Sequence, residues 1–225
     1  ASDFLMALQL TGAAKKSSMA NLQIRLPAIV IGGGLTAIDT ATELMAYYPL
    51  QVEKIQERFK ILSHEFGEEH IWSMFGAEEK GILEKFLVHA EAIRNERKRA
   101  EVTGEIPNFA RLVRSWGGVS IVYRKNMIDS PAYRLNHEEI VKSLEEGIFF
   151  IENMSPVECI EDEYGAMKAV VFEQQKKDEK GKYNCAGENI TLPARSVLVA
   201  AGTTPNVIYE KEWPGSFKMD DREKF

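Results

Sequence analysis

The stretch Ala28-Ile-Val-Ile31 followed by Gly32-Gly33-Gly34-Leu35-Thr36-Ala37 restricts this chain more than any other. A continuous β-branched apolar run of this length is expected of a central parallel strand covered on both faces. From Thr36 onward Ala37, Ile38, Ala41, Leu44 and Met45 recur at helical spacing. Strand, glycine turn and helix together form a G-x-G-x-x-A dinucleotide-binding turn. Gly32 permits the tight turn, Gly34 leaves room for a pyrophosphate against the backbone, and Ala37 lets helix pack closely on strand. The first N–H groups of the helix face the phosphates.

Composition narrows the classes around that turn. The chain has 225 residues, 44% hydrophobic and 28% charged, with a net charge of −6. The acidic balance opposes binding of nucleic acid by general attraction to phosphate. No run approaches the roughly 18 apolar residues of a membrane span. Cys159 and Cys185 form no CxxC pair and fit a reducing, cytoplasmic compartment. The chain opens "ASDFL" and ends "DDREKF", and both ends read as cut from a longer protein.

A dinucleotide fold asks for a second strand ending, about 20 residues after the turn, in an acid that holds the ribose 2′-hydroxyl. Glu53 stands near that distance, but Pro49 breaks the chain before it. "VEKIQERFKIL" reads as helix, with Val52, Ile55, Phe59 and Leu62 on one face. A better second strand is residues 119–123, VSIVY, which runs into Arg124-Lys125. Cations there suit a 2′-phosphate, so the pattern favours NADP over NAD. Residues 49–115 are then a helical insertion outside the βαβ core, and joining Ala46 to Gly117 is expected to leave the nucleotide site intact. Within it, "HEFGEEH" lacks HExxH spacing, so no metal site is assigned, and the cations of "RNERKRAE" close a helix.

Residues 130–147 read as loop, helix and closing Gly147, with Ile140, Val141 and Leu144 facing inward. "FFIE" supplies a third parallel strand. "VECIED", "MKAVVFEQ" and "NITLPA" alternate as an antiparallel meander, and "SVLVAAG" returns to the sheet. The expected fold class is α/β: a Rossmann-like three-layer domain with a parallel sheet, an antiparallel β meander and a long helical insertion.

As a set these stretches resemble the NADPH-binding domain of FAD-dependent pyridine nucleotide oxidoreductases, in the glutamate synthase small-subunit-like branch. "VIGGGLTAIDTA" is similar to that family's V-I-G-G-G-x-T-A-x-D, which places Asp39 after the turn. "VYRK…SPAYR…EEI" resembles its YRR…MPA.R.EE, and "AAGTTPN" its A-x-G-x-x-P-N return strand. The resemblance implies cofactor contacts from Gly32, Gly33, Gly34, Leu35, Thr36, Ala37 and Asp39. It adds Arg124, Lys125 and Arg134 around the 2′-phosphate, and Ala201, Gly202 and Thr203 on the return strand. It further implies residues 1–20 as a linker from a flavin domain, 21–48 and 116–207 as the NADPH domain, and 208–225 as a return linker. NADPH is the expected cofactor, with FAD in the full-length protein only, because no second G-x-G-x-x-G occurs. The expected partner is the flavin domain of the same protein, with a possible further contact through 49–115; no membrane or nucleic acid is involved. The nicotinamide and flavin do the hydride chemistry, so no catalytic acid or base is assigned; His137 and Glu138 read as a solvated helix face. Two other classes stay open: a self-sufficient NAD(P)-dependent dehydrogenase, and a non-catalytic interaction module.

Overall fold

A computed structural model describes residues 1–202 and 207–221. Four parallel strands form its centre: β1 (Ala28–Ile31), β2 (Val119–Val122), β3 (Phe149–Ile151) and β7 (Ser196–Val199), in the order β3-β2-β1-β7. Val30 of β1 lies in register with Ile121 on one side and Leu198 on the other. Alternation explains why these short strands are apolar throughout. Ala28, Val30, Val119 and Ile121 join the core under the helices, while Ile29 and Val122 join a second core on the opposite face.

That second face is covered by an antiparallel sheet, β4 (Met154–Glu161), β5 (Met167–Lys177) and β6 (Tyr183–Pro193), in the order β4-β5-β6. Its Val170 and Phe172 pack against Ile29 and Val122. Both the parallel sheet and the meander expected from the sequence are therefore present, and the domain is three-layered α/β.

The helical layer departs from expectation. The helix after the glycine turn, α2 (Leu35–Phe66), runs 32 residues straight through Pro49. Proline in a helix interior costs about 3 kcal/mol. Tyr48 and Val52, on either side, are fully buried, and burying such side chains contributes about 1.5–3 kcal/mol each, enough to offset the break. After α3 (Glu68–Ser73), α4 (Ala77–Thr103) returns along α2, and α5 (Phe109–Ser115) leads into β2. Phe86, Ala90, Ile93 and Val113 belong to the same core as Val30 and Ile121. Residues 49–115 thus build the core rather than decorate it.

Glu53 sits in the middle of α2, where its carboxylate accepts both arms of Arg97 at 2.8 Å. It ends no strand. The α6 helix (Pro131–Glu145) begins at Ser130, whose hydroxyl accepts the Tyr133 N–H at 3.1 Å. Ile140 is buried in it as expected, but Val141 and Leu144 are 50% and 42% exposed. The inward face of α6 runs through Ile140 and Ser143, three residues apart and both buried, which turns Val141 and Leu144 outward.

The first residues are ordered as well. The α1 helix (Ser2–Leu10) places Phe4 and Leu8 in the main core. Behind it, residues 11–25 are strapped along α2. Lys54 Nζ donates to the carbonyls of Ala13, Lys15 and Ala20, and Gln51 exchanges two hydrogen bonds with the Ile24 backbone. A short helix, α7 (Ile208–Glu212), follows β7. Among the described residues no helix is long and apolar enough to cross a membrane.

Candidate functional site

A cleft of about 610 Å³ opens at the C-terminal ends of β1, β2 and β7. It lies where the chain order reverses, with β2 reached from β1 through α2 on one side and β7 added on the other. In open α/β sheets ligands bind in the crevice at such a switch point.

The glycine turn forms the cleft wall. Gly32 donates its N–H to Val122 O at 3.1 Å, and Gly33 O accepts from Ala132 N at 3.0 Å, tying the turn to β2 and α6. A Cβ on Gly32 would sit 2.3 Å from the Ala200 carbonyl oxygen, and one on Gly33 would sit 2.5 Å from the Tyr123 ring. Gly34 meets nothing within 4 Å. Gly34 also caps α2 with no side-chain hydrogen bond, and because its carbonyl accepts the Ala37 N–H at 3.0 Å, the N–H groups of Leu35 and Thr36 are those with neither an intrahelical partner nor a side-chain cap. Open backbone, free donors and the positive end of the helix dipole make this wall suited to a diphosphate, and the volume lies in the range of cofactor sites.

Arg124 lines the same cleft beside Tyr123, at the end of the neighbouring strand β2. Burial raises the pKa of the Tyr123 hydroxyl above its ordinary value, and the Arg124 and Arg134 charges pull it partly back. Of the two arginines, only Arg124 lines the cleft. Lys125 goes elsewhere: its Nζ lies 5.9 Å over the Tyr183 ring.

The remaining sequence candidates divide. Thr36, Ala201 and Gly202 line the cleft with the three glycines. Ala37 is fully buried where helix meets strand, and Leu35 packs on the main core. Asp39 faces out from α2; partial burial, then repulsion from Glu139, raises its pKa. Arg134 is exposed on α6, as are His137 and Glu138. Thr203 lies outside the described residues. Cys159 and Cys185 are exposed and unpaired. Among the described residues no group of three or more His, Cys, Asp or Glu could hold a metal ion.

Sequence reasoning passed over several contributors, Ser2 of α1 among them. Tyr123 counts in the sequence only as a strand residue; its ring packs against Gly33, and its place next to the Arg-Lys pair is the available signal. Met154, Ser155 and Pro156, at the start of β4, also line the cleft. Nothing in their local pattern marks them, because a hydrogen bond from the Met154 N–H to Tyr123 O at 3.0 Å, between segments 31 residues apart, ties them to the cleft.

No protein-family model matches the chain. An uncharacterized protein of Rickettsia prowazekii (strain Madrid E) is 33% identical over 221 residues, an alignment covering 93% of this chain and 29% of that protein. This chain thus spans less than a third of that relative's length. Similar solved structures include the thioredoxin reductase of Lactococcus lactis, at 15% identity and a TM-score of 0.39 over 87% of this chain and 36% of that one. The thioredoxin reductase of T. acidophilum gives 14% and 0.41 over 87% and 36%. FprA from Mycobacterium tuberculosis in complex with NADPH gives 14% and 0.40 over 87% and 41%.

Proposed function

We propose that the cleft binds NADPH and that this chain is the pyridine nucleotide domain of a cytoplasmic, flavin-dependent oxidoreductase of the glutamate synthase small-subunit-like kind. FAD is held by another domain of the same protein. The reading rests on one observation: the open glycine turn and Arg124 line a single cleft. The uncapped start of α2 takes the pyrophosphate, and the Arg124 fork takes the adenosine 2′-phosphate. Glu53 supports the same preference by its position, because its bidentate pair with Arg97 removes it from any contact with a ribose 2′-hydroxyl. NADPH bound here supplies a hydride from its nicotinamide to the flavin. The chain itself binds, orients and shields the nucleotide.

Calorimetric titration with NADPH and NADH tests the reading. The wild type prefers NADPH. Removing one charge-assisted contact costs about 1.5–3 kcal/mol, so Arg124→Ala weakens NADPH binding roughly tenfold to a hundredfold and leaves NADH nearly unchanged. A wild type that prefers NADH overturns the assignment of Arg124.

A further inference from the structure

The loop that carries Arg124 is held from outside the parallel sheet. The far end of the β5–β6 hairpin reaches over residues 124–130. Tyr183 Oη donates to Asp129 Oδ2 at 2.6 Å and accepts the Asn126 N–H at 2.9 Å. Lys177 Nζ donates to the same Asp129 oxygen at 2.7 Å. Lys177 and Tyr183 together hold the Asp129 carboxyl below its ordinary range. From behind, Asn153 donates its backbone N–H to Lys125 O at 3.2 Å and its Nδ2 to Asn126 Oδ1 at 2.9 Å. Gln175 of β5 donates in turn to Asn153 O at 2.8 Å. Asn153 has φ of 61°, a left-handed conformation that asparagine tolerates better than most residues.

These bonds sort the cations of the loop. Lys125 lies over the Tyr183 ring and Lys177 is committed to Asp129, while Arg124 lines the cleft. Asp129, Lys177 and Tyr183 are not among the residues that line it. A fork that must meet a phosphate needs a fixed backbone under it, since a displacement of about 1 Å is enough to spoil such geometry.

We infer that the Tyr183–Asp129–Lys177 clasp positions Arg124 for an adenosine 2′-phosphate, so that the choice between NADP and NAD depends on a hairpin that does not touch the nucleotide. The inference rests on the NADPH reading above. Tyr183 is a positioning residue in it, acting through Arg124.

The experiment measures binding of 2′,5′-ADP and of 5′-AMP, which differ only in the 2′-phosphate, with thermal melting as a control for folding. The variants are Tyr183→Phe, Asp129→Asn, Arg124→Ala and the double variant Tyr183→Phe/Arg124→Ala. Tyr183→Phe keeps the ring and loses only the hydroxyl's two hydrogen bonds. It is expected to weaken 2′,5′-ADP about threefold to tenfold while leaving 5′-AMP within about twofold. Asp129→Asn, which keeps an acceptor but loses the charge, is expected to act in the same direction. The double variant is expected to bind 2′,5′-ADP no more weakly than Arg124→Ala alone, because the two residues act in series. Equal losses for both ligands, no loss, or additive losses in the double variant overturn the inference while the wild-type preference stands. A wild type that does not distinguish the two ligands overturns the NADPH reading itself, and the clasp's role with it.

Discussion

Of three adjacent glycines, Gly32 and Gly33 answer to different neighbours and Gly34 to open space. A Cβ at position 33 would strike the Tyr123 ring at 2.5 Å, whereas one at position 34 would enter open space in the cleft. Gly33→Ala is therefore expected to destabilise the protein by the overpacking cost of about 1–3 kcal/mol, visible as a lower Tm. Gly34→Ala should melt like wild type and yet bind NADPH more weakly, because its methyl occupies the space of the pyrophosphate. Melting curves and NADPH titrations on the two variants separate these outcomes; a Gly34→Ala protein with full affinity would place the diphosphate elsewhere. His89 offers a test of a different kind. Its Nδ1 lies 2.6 Å from the Tyr48 hydroxyl, and its ring stacks on Trp116 at 3.8 Å. Burial, and secondarily the Lys85 charge, lowers its pKa from 6.5 to about 4. Between those values the unfolded chain binds more protons than the folded one. Stability is therefore full above about pH 6.5 and falls as the pH drops towards 4, by up to roughly 3 kcal/mol. Urea unfolding at pH 7 and pH 4.5 should show this loss in wild type and a smaller one in His89→Gln. An NMR titration of the ring that gives a pKa near 6.5 would remove the basis of the prediction.

At the level of elements, α2 is the organising piece. One face takes the glycine turn and the sheet, another pairs with α4, and its polar positions Tyr47, Gln51, Lys54 and Arg58 hold residues 18–24 by hydrogen bonds to backbone. Joining Ala46 to Gly117 would remove Tyr48, Val52, Phe86, Ile93 and Val113 from the shared core. Losses of about 2–5 kcal/mol for each large buried side chain exceed the 5–15 kcal/mol that holds a domain together. The deleted protein is expected to aggregate, reversing the expectation from sequence that the segment is dispensable. Size-exclusion chromatography of the soluble fraction checks this, and a monomeric, NADPH-binding product would show that the helices only decorate the sheet.

At the scale of the whole molecule, the proposed division of labour predicts that these 225 residues purify without flavin and oxidise NADPH no faster than buffer; a flavin absorption band surviving desalting would contradict it. The three parallel strands of the βαβαβ unit, the return strand, the antiparallel meander and the glycine turn were all legible in the sequence. Strand alternation, apolar runs and turn chemistry are properties of neighbours within a few residues, and they survive without knowledge of the partner. Pro49 within a helix, the merging of residues 49–115 into the core, and the exposure of Val141 and Leu144 were not legible. Nor was the diversion of Lys125 to Tyr183, which leaves Arg124 at the cleft. Each depends on a contact between distant segments, such as Tyr48 with His89, 41 residues apart, or Asn126 with Tyr183, 57 apart. Local pattern sets which elements form and which of their faces are apolar. The burial of a proline or the partner of a cation is decided only when packing brings those segments together, because the free energy that settles it lies in the contact and not in either segment alone.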